Sequence, residues 1–226
     1  MTTIAANLQD VRERLGAACR AAGRPPDTVQ LLAVSKTFGA NAVAQAFEAG
    51  QRAFGENYIQ EAVRKVEALR HLPIEWHCIG PIQSNKSRLV AENFDWVHTL
   101  DRLQTAQRLS AQRPADLAPL QVCIQVNIDG GANKSGVAPQ DALTLARQVA
   151  TLPRLTLRGL MCIPEPCAEF TTALAIHRQA KLLFDQLNAQ GLSLDTLSLG
   201  MSADLEAAVS AGSTLVRVGT AVFGKR

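Results

Sequence analysis

The chain has 226 residues, 47% of them hydrophobic and 19% charged, enough to bury a large core as one domain and short for two. Its 23 Lys and Arg against 20 Asp and Glu leave a net charge of +3 with no basic block, and two Trp and one Tyr are too few to interleave with one, which argues against nucleic acid. Residues 1–15 mix charged and apolar positions as neither a leader nor a membrane span does, and no later apolar run is long enough to cross a bilayer.

Five cysteines (Cys19, Cys78, Cys123, Cys162 and Cys167) without framework spacing predict reduced thiols and a cytoplasmic protein. Cys162 and Cys167 lack the second Cys or His pair that a zinc site needs, so no metal is predicted.

In chain order, Ile4, Leu8, Val11, Leu15 and Ala18 fall on one helix face, ending near Gly23 with Pro25 and Pro26 behind it. Residues 29–35 form a nearly continuous apolar run, the pattern of a strand buried on both faces. A helix with Val43, Ala46 and Phe47 on one face follows, closed by Gly50. Further strands are predicted at 52–55, 75–79, 96–99, 122–128, 155–161, 197–199 and 214–218. Helices are predicted between them at 56–70, 84–92, 102–112, 139–151, 169–189 and 202–211. In the 169–189 segment the predicted face is Ile176, Ala180, Leu183 and Leu187.

Eight β-then-α units predict a single (β/α)8 barrel over residues 1–226, with an open flavodoxin-like sheet as the alternative. No apolar stripe is left over once the helices pack on the barrel, which predicts a monomer.

Working residues of such barrels lie at the C-terminal ends of the strands. Lys36 emerges there after Leu31-Leu-Ala-Val34. It is either a surface lysine or a Schiff-base amine, whose lone pair partial burial would free for an aldehyde. The turn from Gly200 to Glu206, with Ser202 as the expected N-cap of the next helix, presents backbone N–H groups suited to a phosphate. Gly219 and Thr220 add more donors after the last strand, where barrel phosphate sites are often built.

Arg217, inside that strand, requires an acceptor, either an acid or the ring nitrogen of a cofactor. Facing a ring nitrogen, a permanently charged guanidinium would leave the ring unprotonated and a weak electron sink, which suits a stored cofactor. His77 is either a satisfied core histidine or a functional one. Asn57 and Tyr58 stand at the mouth, and Lys86, Lys134 and Lys225 are expected to be solvated.

The motifs Ala33-Val-Ser-Lys-Thr37, Phe54-Gly-Glu-Asn-Tyr58, His77 with Ile79-Gly80, Gln83-Ser-Asn-Lys86, Lys134-Ser-Gly136, Gly200-Met-Ser-Ala-Asp204 and Val216-Arg-Val-Gly-Thr220 run through the whole length. By them the chain resembles the pyridoxal phosphate homeostasis proteins, relatives of the barrel domain of alanine racemase. The resemblance implies an alanine racemase-like TIM barrel with pyridoxal 5'-phosphate as an aldimine on Lys36 and Arg217 at the pyridine nitrogen. It further implies that Ser202, Gly219 and Thr220 hold the phosphate, with Asn57, His77 and Met201 lining the pocket.

The implied role is vitamin B6 homeostasis, holding the cofactor and passing it to apo-enzymes without established turnover. Where relatives often carry a second lysine, this chain has Phe38, which puts transfer through that lysine in doubt. The racemase's opposing tyrosine comes from a second, all-β domain for which this chain has no room. A pyridoxal-phosphate racemase working through Lys36 with water or His77 is the alternative, and a cofactor-free lysine aldolase a third.

Overall fold

The computed structural model describes residues 3–131, 134–167 and 169–224. Eight strands form a closed, all-parallel barrel in chain order: β1 (Gln30–Val34), β2 (Ala53–Glu56), β3 (Glu75–Cys78), β4 (Trp96–Leu100), β5 (Leu120–Gln125), β6 (Leu155–Met161), β7 (Thr196–Ser198) and β8 (Leu215–Val218). Closure runs from Gln30 opposite Leu215 to Ala33 opposite Val218. The open-sheet alternative is thereby set aside.

The helices are α1 (Ile4–Ala21), α2 (Ala40–Glu48), α3 (Ile59–Ala68), α4 (Ser87–Asn93), α5 (Leu103–Gln112), α6 (Ala142–Ala150), α7 (Phe170–Ala189), α8 (Leu205–Ala211) and α9 (Thr220–Phe223). Helix α1 precedes the barrel and packs on α2, α8 and α9 through Leu8, Val11, Leu15, Ala18 and Cys19. The buried stripe of α7 is Ala173, His177, Ala180, Phe184 and Leu187, one position round from the predicted face, so His177 points inward and Ile176 only half-buries.

Several boundaries differ from the sequence-based expectation, three of them next to predicted site residues. Helix α3 starts at Ile59 rather than at residue 56, because Glu56 still pairs in β2 with Cys78. Strand β5 ends at Gln125, since Asn127 N–H and Gln125 C=O turn away from the barrel to bond Val137. Helix α8 starts at Leu205, so Ser202 is not its N-cap; Asp204 holds that place.

The two-residue period of the strands sorts the core. Trp76, Cys78, Val97, Leu197, Val216 and Val218 belong to the layer between barrel and helices. Inside the barrel, Leu32, Val34, Ala53, Ile79 and Leu215 fill one side, and Trp96, Cys123 and Met161 the other. In register with these interior positions are His77, His98, Ser198 and Arg217, all buried.

Candidate functional site

Lys36 follows β1 at the C-terminal mouth and is half-buried. Its neighbours on both sides are pinned. Ser35 Oγ donates to Glu56 Oε1 at 2.5 Å, and Lys65 Nζ donates to Ser35 O at 2.8 Å and to Glu56 Oε1 at 2.7 Å. Thr37, held at φ +66°, donates its N–H to Glu61 Oε1 at 2.6 Å, and Glu61 also pairs with Lys65. Burial pushes the Glu56 carboxyl above its ordinary range, against the pull of Lys65 and Ser35. A two-acid, one-lysine clamp with Glu56 and Lys65 buried thus fixes the backbone that carries Lys36.

On the neighbouring strand, β8, Gly219 sits directly against the end of β1. A Cβ there would lie 3.2 Å from Val34 O, so the absent side chain lets the β8 loop close on the Lys36 strand. Thr220 opens α9 and is exposed. Four-residue α9 is tied down by Asn7 Nδ2 donating to Val222 O at 2.9 Å and by Phe38 stacking on Phe223 at 5.1 Å. Phe38 is therefore a packing residue.

Arg217 is buried, and its acceptors are not acids. Nη1 donates to Ser198 O at 2.8 Å and Ser198 Oγ at 2.6 Å, and Nη2 donates to Cys162 O at 2.8 Å. Burial lowers its pKa to about 10, which leaves it cationic at neutral pH. Its N–H donates to Gly200 O at 3.0 Å, so the Gly200–Asp204 turn and Arg217 are one unit.

Asp204 braces that turn: Oδ1 accepts from Met201 N–H at 2.6 Å and Oδ2 pairs with His177 Nε2 at 2.9 Å. Burial pushes Asp204 up, but the bonds from His177 and Met201 outweigh it and hold the carboxyl below its ordinary range. From outside, Arg14 Nη1 donates to Ser202 O at 2.9 Å and its Nε pairs with Glu206. Met201 and Ser202 are half-buried on this braced turn.

Asn57 lies between β2 and α3, and its buried Oδ1 has no hydrogen-bond partner among the described residues. It also lines a cavity of about 470 Å³ with Tyr58, Pro81, Gln83 and Lys86, which none of the other predicted cofactor residues enters. His77 is fully buried, its Nδ1 2.9 Å from His98 Nε2 and its Nε2 2.8 Å from Glu75 Oε1. With both ring nitrogens engaged, it reaches the mouth only through other residues.

Lys134 is not solvated as expected: it pairs with Asp129 at 2.5 Å and Glu165 at 3.2 Å and is less than one-fifth exposed. Lys225 lies outside the described residues. Lys36, Arg217, Gly219, Thr220 and the Met201–Ser202 turn are thus brought to one sector of the mouth, with Asn57 one strand further round.

Reading the sequence missed Glu56 with Lys65, His98, Ser198 as a partner of Arg217, and the His177–Asp204 pair. A signal existed for two of these. His98 sits two residues after Trp96, and His177 three before Ala180, each in the period of a buried face.

A closed parallel barrel with its polar residues gathered at the C-terminal mouth is the class that fold and site define, and the family described as alanine racemase, N-terminal domain, matches residues 3–226. A pyridoxal phosphate homeostasis protein of Pseudomonas aeruginosa is 58% identical over 100% of this chain and 97% of its own length. That of Escherichia coli is 54% identical, covering 100% and 98%. The chain belongs to the pyridoxal phosphate homeostasis proteins of that family. Among solved structures, Synechococcus elongatus PipY with pyridoxal phosphate bound is 38% identical with a TM-score of 0.86, covering 98% of this chain and 100% of PipY. Alanine racemase of Clostridium difficile, at 14% identity and a TM-score of 0.74 over 96% of this chain and 57% of its own, shares the fold.

Proposed function

We propose that this chain binds pyridoxal 5'-phosphate as a Schiff base on Lys36 and serves vitamin B6 homeostasis in the cytoplasm, buffering the cofactor and delivering it to apo-enzymes. The observation that carries the reading is Arg217: a buried cation with no acidic partner among the described residues, on the strand next to Lys36. A pyridine nitrogen held by such a group stays unprotonated, because a guanidinium does not release its proton to it.

The remaining residues fit the same ligand. Ser202, Gly219 and Thr220 offer a hydroxyl pair and backbone donors for the phosphate, with the turn that carries Met201 and Ser202 already braced by Asp204 and Arg14. The orphaned Oδ1 of Asn57 is an acceptor for a ligand hydroxyl. His77 contributes at one remove, through its buried partners. Bound there, the cofactor supplies an aldehyde that an amine captures reversibly, and an unprotonated ring makes it a weak electron sink. That favours storage over turnover. Kinship with PipY, whose structure holds pyridoxal phosphate, supports the reading.

The test is the visible spectrum of protein loaded with pyridoxal phosphate, before and after borohydride. A yellow band abolished by borohydride and missing in Lys36→Ala is the expected result. Protein that takes up no pyridoxal phosphate would overturn the proposal.

A further inference from the structure

Four hydrogen bonds, three of them buried, cross the barrel interior in one line. Arg217 Nη1 stands 2.6 Å from Ser198 Oγ, and Ser198 Oγ 3.0 Å from His98 Nδ1. His98 Nε2 stands 2.9 Å from His77 Nδ1, and His77 Nε2 2.8 Å from Glu75 Oε1. Glu75 begins β3 at the N-terminal rim, the end of the barrel opposite Lys36, with its side chain about two-fifths exposed.

With both rings neutral, the carboxylate at one end and the guanidinium at the other leave the line a single direction. A guanidinium only donates, so Ser198 Oγ accepts from Arg217 and keeps its own hydrogen free for His98 Nδ1. Burial keeps the His98 ring neutral, so the hydrogen of His98 resides on Nε2 and points at His77 Nδ1. At the far end a carboxylate only accepts. Glu75, held down to about 2 chiefly by its bond from His77, takes the hydrogen of His77 Nε2. Every donor therefore points from Arg217 towards Glu75, and no ring nitrogen in the line lacks a partner.

The rings are held in place from the side. Trp96 stacks on His77 at 5.3 Å with planes 7° apart, and the Arg158 guanidinium lies over Trp96 at 4.9 Å.

We infer that Glu75 is a positioning residue for Arg217, acting across the barrel through His77, His98 and Ser198. The line passes on orientation rather than a proton, since a proton leaving at its upper end would have to come from arginine. With His77 fixed as an Nε2–H tautomer, His98 is fixed likewise, and the Ser198 hydroxyl then has one rotor position that leaves a lone pair for Arg217. The inference rests on the reading that Arg217 faces the pyridine nitrogen of pyridoxal phosphate.

Two measurements test it. Nitrogen-15 NMR of the full chain without cofactor, between pH 6 and 8, is expected to show His77 and His98 both as Nε2–H tautomers. An Nδ1–H tautomer or an imidazolium at either ring would reverse the line and overturn the inference. Pyridoxal phosphate titrations followed by absorbance, with Tm as the check on folding, then compare wild type with Glu75→Ala, Glu75→Gln and Ser198→Ala. Loss of the terminal acceptor in Glu75→Ala and of the hydroxyl in Ser198→Ala should each raise Kd about tenfold, the scale of one hydrogen bond. Glu75→Gln, which keeps an acceptor oxygen for His77, should stay within about twofold of wild type. Equal affinity of wild type and Glu75→Ala would overturn the inference and leave the cofactor reading intact. A wild type that binds no pyridoxal phosphate would overturn both, while the tautomers still report whether the line exists.

Discussion

Gly200 holds φ at +88°, and a Cβ there would come within 2.4 Å of Ala208 Cβ on the helix that follows. Both the left-handed backbone and the contact with α8 exclude a side chain. Gly200→Ala should therefore cost about 3 kcal/mol, read as a Tm lower by roughly 6–12 °C. Because Arg217 N–H donates to Gly200 O, the same substitution should also weaken pyridoxal phosphate uptake. Single residues set the other end of the site as well. Thr37 at φ +66° keeps its conformation through its bond to Glu61, and Lys65 joins Glu61 to Glu56. The Lys36 backbone is thus held from β2 and α3, through Glu56, Glu61 and Lys65.

At the scale of elements, the Gly200–Asp204 turn is held less by α8, only seven residues long, than by three braces from elsewhere. They are Asp204 to Met201 N–H, His177 on α7 to Asp204, and Arg14 on α1 to Ser202 O. Asp204→Ala strips two part-buried donors of their acceptor, at a cost of about 1–3 kcal/mol. Amide exchange at Met201 should then accelerate well beyond that in β8, and unchanged protection there would show that the turn does not depend on Asp204. Helix α9 follows the same logic. Four residues cannot hold a helix alone, so the Asn7 bond and the Phe38–Phe223 stack set its place.

Across the whole molecule, the carboxylates set how stability depends on pH. Glu75 titrates near 2 when folded and returns to about 4.3 when unfolded, so the unfolded chain binds more protons in between. Its contribution to stability is complete above about pH 5 and is lost as pH falls towards 2. Solvent screens this half-exposed group, so the prediction is one of sign. The urea midpoint of wild type should exceed that of Glu75→Gln at pH 7, and the two should converge only as pH falls to about 2. A gap that stays constant from pH 7 to 3 would show that the carboxylate charge contributes nothing. Asp129, Asp195, Asp204 and Glu206, each held below its ordinary range, add to acid lability in the same sense. Glu56 and Asp95, raised by burial, act against it.

The sequence by itself determined the eight alternating units, the strand-end position of Lys36 and the turns at Gly200 and Gly219. Each of these is a local property: a hydrophobic period, a strand end, a residue without Cβ. It also showed that an arginine in the last strand must find an acceptor. Only the tertiary structure decided which acceptor. His77 and His98 lie 21 positions apart, His98 and Ser198 100, and Ser198 and Arg217 19, so these four residues on four strands meet only when β8 closes on β1. The start of α8 was misplaced for a related reason. Ser202 is a good local cap, but Asp204 is drawn into place by His177 on another helix, and a tertiary bond between buried groups outweighs a cap exposed to water.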